Sequence, residues 1–273
     1  MGSVGLEEKL AEMLDKAGLD EDQRKKEIEA IQNDLKQPVK IIGAGQCGVG
    51  KSTLLRSIFA IEEDQIPDVI TTDATRAETE EFNSFRIETE EGFKIEFTDG
   101  PGLGESISKD DKWIPQWIEE IPEHDLLYWV LDASSRDISH IQKNMKKILD
   151  ETGFHSRVVV VLNKVDQIEL ERDELEEGQS GWDEDYNVPT PELEKQIERR
   201  TEDIIAKLSD YTGVSEDQMV ACSALKRWHH DIVLDKLVES LPKKKRIKVA
   251  ANRDVEDFTE LMSDKALREI QDD

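Results

Sequence analysis

The sequence predicts a three-layer α/β fold, a mostly parallel sheet with helices on both faces, and three observations lead there. Pro38–Ala44 is a short apolar strand, and the continuous apolar runs Leu126–Leu131 and Val158–Leu162 have the character of buried parallel strands. Strand-like and helix-like segments alternate along the chain, as they do when helices cross over between parallel strands. A glycine-rich turn, Gly45-Gln46-Cys47-Gly48-Val49-Gly50-Lys51-Ser52, joins the first strand directly to a helix.

The elements follow in order. Leu6, Leu10 and Leu14 form one helical stripe and Ile28, Ile31 and Leu35 another; Gly18 breaks between them and Asp20 can cap the second. Residues 1–36 therefore read as an acidic helical extension. After the first strand, Lys51–Ile61 reads as a helix. Phe82–Glu88 and Phe93–Thr98 alternate in polarity around the turn Glu90-Glu91-Gly92, which predicts an antiparallel pair. Ile138–Leu149 has helical periodicity between the strands Leu126–Leu131 and Val158–Leu162. Gln167–Pro191 is acidic and rich in turn formers, and reads as a long loop or insertion. Gln218–Cys222 is a last short strand, and the helix Asp231–Leu241 stops at Pro242. Residues 37–242 make up the main domain. Residues 243–273 form a tail with a basic run, Lys243–Arg246, and a helical stripe at Val255, Phe258, Leu261 and Met262.

Hydrophobic residues make up 37% of the 273, enough for a real core. Asp and Glu number 63 against 36 Lys and Arg, a net charge of −27, which repels bare nucleic acid and anionic membrane over most of the surface. The acidity fits a solvated surface or a high-salt cytoplasm. No apolar run approaches the roughly 20 residues of a membrane span. Met1–Ala17 lacks a basic start followed by an apolar block, so no secretory signal is expected. Cys47 and Cys222 make no disulfide framework and fit a reducing cytoplasm as small apolar fillers.

Four segments carry chemistry. In Gly45–Ser52, glycines let backbone N–H groups approach phosphate oxygens, and the helix that follows adds positive potential at its start. The spacing puts Lys51 on the β- and γ-phosphates of a nucleoside triphosphate and Ser52, followed by Thr53, on Mg²⁺. Asp99-Gly100-Pro101-Gly102 ends a strand; Asp99 can reach the Mg²⁺ shell and the Gly102 N–H the γ-phosphate. Asn163-Lys164-Val165-Asp166 follows a buried strand. Asp166 can accept from guanine N1–H and the 2-amino group, and adenine offers neither, so ATPase or kinase chemistry is disfavoured. Asn163 would hold the loop and face the base, and Lys164 would lay its stem over the ring. In Cys222-Ser223-Ala224, a tight turn can aim the Ala224 N–H at guanine O6.

These motifs, in this order over about Pro38–Leu241, resemble the Ras-like GTPases of the translation-factor-related class. The Thr75-Arg76 pair in Thr71-Thr72-Asp73-Ala74-Thr75-Arg76 looks closest to the Era- and TrmE-like branch, whose switch I threonine ligates Mg²⁺ and meets the γ-phosphate. The resemblance gives Thr75 that role, with Thr71 and Thr72 as competing candidates, and implies a Mg²⁺-dependent switch that hydrolyses GTP to GDP. Three positions depart from relatives. Leu103 stands where small Ras-type enzymes carry a water-orienting glutamine. Gly48 stands where potassium-stimulated members carry asparagine. Cys47 replaces a glycine that leaves room for an arginine finger. The rival reading is a GTP-binding interaction module with negligible hydrolysis. Era-like relatives often act on ribosomes or RNA; at −27 the surface for that reduces to Lys243–Arg246, so a protein effector or self-association through the terminal helices is expected instead.

Overall fold

The computed structural model describes residues 20–58, 81–88, 94–104, 106–135, 137–170, 181–242 and 245. The first leucine stripe, the switch threonines and the tail stripe lie outside these residues. Two compact units are formed: one from the described parts of 1–39, 86–96 and 241–273, the other from 40–85 and 97–240.

The smaller unit contains helix α1 (Glu21–Lys36). Asp20 caps it as expected: the Gln23 N–H donates to Asp20 Oδ1 at 2.8 Å, and Gln23 Oε1 accepts from the Asp20 N–H at 3.0 Å. Arg86 pairs with Glu96 in this unit, and Lys245 Nζ donates to the Pro38 carbonyl at 3.4 Å.

The six-stranded sheet comprises β1 (Val39–Gly45), β2 (Asn83–Glu88), β3 (Lys94–Asp99), β4 (Leu126–Asp132), β5 (Val158–Asn163) and, after a separate two-stranded pair β6 (Trp182–Asp183) and β7 (Val188–Pro189), β8 (Met219–Ala221). Its order is β2-β3-β1-β4-β5-β8. The pairs β1–β4, β4–β5 and β5–β8 are parallel. Register sets Gly45 against Val130, Asp132 against Asn163 and Leu162 against Ala221, so the chemistry-bearing residues end their strands at one carboxyl edge.

Among the described residues, five α-helices belong to the larger unit: α2 (Lys51–Ile58), α3 (Ile107–Glu120), α4 (Ser139–Thr152), α5 (Pro191–Thr212) and α6 (His230–Ser240). Strand side chains alternate between faces. Leu127, Trp129, Leu131, Val158, Val160 and Leu162 join Trp117 of α3, Met145 and Ile148 of α4, and Leu193 and Ile204 of α5 in one apolar cluster. The intervening Leu126, Tyr128, Val130, Val159 and Val161 are buried on the other face, where α6 meets β4 and β5 and packs on α2 through its buried Val233 and Leu237. On that face Gly43 lies opposite Tyr128, and a Cβ added to Gly43 would overlap the phenol ring.

The outcome differs from the sequence reading in two respects. No helix was assigned to 107–120 or 191–212, yet α3 and α5 fill them. Part of the expected loop Gln167–Pro191 is structured, as the β6–β7 pair. Of the expected helix Lys51–Ile61, the part that lies within the described residues is α2, and Phe59–Ile61 lie outside them.

Candidate functional site

The glycine-rich turn leaves β1 at Gly45 and enters α2 at Lys51. A Cβ on Gly50, whose φ is +94°, would strike the Asn163 amide, so glycine is required for the turn and the Asn163 loop to meet. Lys51 is buried; its Nζ donates to the carbonyls of Gly45 and Gln46 at 3.3 and 3.2 Å, across the mouth of its own loop. Cys47 is exposed in the turn and Val49 is buried beneath it.

Ser52 Oγ donates to Asp99 Oδ2 at 3.1 Å, which joins the turn to the end of β3. Asp99 is 7% exposed, and its other oxygen, Oδ1, has no hydrogen-bond partner among the described residues. Burial pushes this carboxyl above its ordinary value, against the opposing pull of Lys51 and Ser52. A buried carboxylate oxygen with no donor, beside a hydroxyl aimed at its twin, is the chemistry of a hard-cation site. Among the described residues no group of three or more His, Cys, Asp or Glu forms a metal cage. An ion here would draw its remaining ligands from phosphate and water, as Mg²⁺ commonly does.

Beyond Asp99 the chain is pinned by α3. Trp117 Nε1 donates to the Pro101 carbonyl at 3.2 Å, and Asp110 Oδ1 accepts from the Gly104 N–H at 2.9 Å. Gln46 Nε2 donates to the Gly104 carbonyl at 2.8 Å. Leu103 is 1% exposed and sits in the apolar cluster, while its N–H donates to Gly45 O at 3.1 Å. The residue at the glutamine position is therefore embedded in the core. The α3 contacts went unread in the sequence; Trp113, Ile114 and Trp117, spaced as one helical face, were the available signal.

The base-side motifs are bonded to one another. Asn163 Nδ2 donates to the Val49 carbonyl at 2.9 Å, and Asn163 Oδ1 accepts from the Ala224 N–H at 2.9 Å. The Ala224 N–H thus bonds Asn163, whereas the sequence aims it at guanine O6. Ser223 Oγ donates to Asp166 Oδ1 at 2.6 Å. Lys164, left-handed at φ 65°, donates from Nζ to Asp132 Oδ2 at 2.8 Å. Burial alone would raise the Asp132 carboxyl; the bonds from Lys164 and Ser134 outweigh it and hold the carboxyl below its usual value. Burial pushes the Cys222 thiol up to about 12, consistent with an inert filler. Leu225, 70% exposed beside Ala224, is an apolar surface at this edge that the sequence reading did not name.

Gly45, Gln46, Cys47, Gly48, Val49, Gly50, Lys51, Ser52, Thr53, Asp99, Gly102, Asn163, Lys164, Asp166, Ser223 and Ala224 all lie at or just beyond the carboxyl ends of β1, β3, β5 and β8, in the last strand residues, the loops that follow or the first turn of α2. Thr75 lies outside the described residues, as do Thr71 and Thr72.

Residues 39–164 match the model of a protein family described as 50S ribosome-binding GTPase. The chain is 30% identical over 138 residues to the uncharacterized protein YkfA of Escherichia coli (strain K12), a match covering 50% of this chain and 45% of YkfA. The chain thus spans less than half the length of the curated relatives it matches first. Among solved structures it resembles the LeoA bacterial dynamin GTPase from ETEC, with a TM-score of 0.51 at 17% identity over 97% of this chain and 43% of that one. It also resembles Toc33 from Arabidopsis thaliana, with a TM-score of 0.51 at 13% identity over 80% of this chain and 91% of Toc33. These structural likenesses concern the fold alone. Sheet order, the motif-bearing loops at one edge and the match over 39–164 agree: this chain has the Ras-like P-loop GTPase fold.

Proposed function

We propose that this protein binds GTP with Mg²⁺ and hydrolyses it to GDP and phosphate as a molecular switch, in a G domain spanning 37–242. The observation that carries the reading is the pairing of Ser52 with one oxygen of a buried Asp99 whose other oxygen has no partner, at the mouth of the glycine-rich turn. Lys51 would leave the carbonyls of Gly45 and Gln46 to bind the β- and γ-phosphates. The Gly102 N–H would meet the γ-phosphate, and Asp166, oriented by Ser223, would read the guanine edge. A bound Mg²⁺, held by Ser52, Asp99 and Thr75, would neutralise charge developing on the phosphates. Thr75-Arg76 is the ground for assigning the chain to the Era- and TrmE-like branch. A cytoplasmic setting and a protein effector, or self-association through the terminal helices, complete the reading. RNA or ribosome binding is the less favoured partnership at a net charge of −27.

Phosphate release under multiple turnover tests it: GTP consumption that requires Mg²⁺, with ATP inert, is expected, and equal turnover of ATP would overturn it. One observation favours a second reading, a GTP-binding module with negligible hydrolysis. Leu103 is embedded in the core, so its side chain cannot orient water. Tight GTP binding without turnover would select that reading.

A further inference from the structure

The part of 167–191 that forms the β6–β7 hairpin is bonded to the loop that follows β8. Asn187 Nδ2 donates to the Lys226 carbonyl at 2.8 Å, and Asn187 Oδ1 accepts from Trp182 Nε1 at 3.2 Å, which fixes the amide in one orientation. Lys226 Nζ reaches both oxygens of Glu184 at 2.7 and 2.8 Å. The Trp182 ring meets Trp228 edge to face at 6.1 Å between centroids, and Trp228 and Ser223 exchange backbone bonds in both directions.

The grip continues inward. The Lys226 N–H donates to Ser223 Oγ at 3.0 Å, and that hydroxyl donates to Asp166 Oδ1 at 2.6 Å. The Lys226 peptide is therefore held on its carbonyl side by Asn187 and on its amide side by Ser223. A continuous relay runs Asn187, Lys226, Ser223, Asp166. Arg227 and His229, both non-glycine, hold left-handed φ values of 55° and 60°, and Asn187 itself stands at 55°. Such residues persist where their surroundings over-determine them. A loop bent this way would be free to shift if only its own backbone held it; the hairpin supplies an external hold, beside the bonds of Ser57 to the Ala224 carbonyl at 3.3 Å and of Arg227 to the Ser57 carbonyl at 3.4 Å.

We propose that the β6–β7 hairpin is a brace for guanine recognition, in which Asn187 and Lys226 act as positioning residues that keep the Asp166 carboxylate aimed at the base. The inference rests on the assignment of Asp166 as the guanine reader. The brace acts on the N1–H and 2-amino edge of the base and leaves the phosphate contacts alone. It therefore affects discrimination between guanine and a base lacking the 2-amino group more than it affects nucleotide binding as a whole.

The test measures dissociation constants for GTP and for ITP, whose base lacks that amino group, on the full chain and on three variants. Asn187→Gly removes the side-chain bonds while suiting the left-handed backbone. Lys226→Met removes the ion pair and keeps the stem. Tyr186→Ala, at a tip residue 80% exposed, is the control. The first two should lower the preference for GTP over ITP by about 5-fold, on the order of one hydrogen bond, and should weaken ITP, which keeps the N1–H, by less than they weaken GTP. Tyr186→Ala should leave the preference unchanged. Equal weakening of both nucleotides would mean that the hairpin only stabilises the fold, and the brace is overturned. Unchanged preference in the first two variants overturns it as well while leaving the guanine reading standing. A full chain that does not prefer GTP over ITP overturns both.

Discussion

The two ends of the nucleotide edge are built differently. On the base side Asn163, Ala224, Ser223, Asp166, Lys164 and Asp132 bond to one another. On the phosphate side Lys51 rests on carbonyls of its own loop, and Asp99 keeps a buried oxygen with no donor. The base side is a finished template, whereas the phosphate side is held ready at some cost in stability. A ligand would thus meet a rigid surface at its base, and a cation accompanying its phosphates would relieve the unsatisfied Asp99 oxygen.

Four substitutions can break or sharpen this contrast. The largest effect is expected from Lys51→Ala, which should weaken GTP by about 100-fold or more, since a buried cation on two phosphates is lost. It should leave the melting temperature of the nucleotide-free protein nearly unchanged. Calorimetric titration beside a thermal melt checks both, and a collapse of the ligand-free fold would end the idea that this side is only loosely satisfied. Asn163→Ala should do the reverse. It strands the Val49 carbonyl and the Ala224 N–H in the interior and should cost about 2–4 kcal/mol in denaturant unfolding without nucleotide. A loss well under 1 kcal/mol, on the order of an exposed site, would show the template to be less rigid than its bonds imply.

Asp166→Asn should weaken GTP by about 30-fold and shift preference toward xanthosine triphosphate, whose C2 oxygen accepts where guanine donates. Unaltered base preference in a competition assay would remove Asp166 from the base contact. The smallest effect, and the most pointed, belongs to Asp99→Asn. Asp99 has a folded pKa raised above the ordinary 3.8, so the folded protein binds the proton more readily than the unfolded chain. Its stabilising share is complete below 3.8 and is lost as pH rises through the raised folded value. The nucleotide-free asparagine variant should lack that fall and be the more stable form at neutral pH, while losing stabilisation by Mg²⁺ with GTP. Melts across pH, with and without nucleotide, decide it.

Much of this was legible in the residues. Buried parallel strands announce themselves as unbroken apolar runs, and Val158–Leu162 and Leu126–Leu131 were found to within a residue at their ends. The motif loops carry fixed spacing because their backbone must approach phosphate and base, so Lys51, Asp99 and Asn163 could be named from order alone. What escaped had competing signals. In α3 the helical face of Trp113, Ile114 and Trp117 is masked by Pro115 and by the charged Lys109-Asp110-Asp111-Lys112. In α5 the stripe Leu193, Ile197, Ile204 and Leu208 is diluted by acidic and basic neighbours on its solvent side. The β6–β7 hairpin is too short for periodicity and is anchored through Trp182 and Asn187, whose partners are distant in sequence. No local pattern announces contacts of that kind.

Gly43 and Tyr128 have a consequence for how this sequence can change over generations. Because the phenol fills the space a Cβ would need, almost any mutation at Gly43 alone clashes, and a smaller residue at Tyr128 alone leaves a void under β1. The two codons are thus tied: drift at one is tolerated chiefly after drift at the other. Among descendants of this chain a bulkier residue at 43 should be inherited together with a smaller one at 128, and rarely without it.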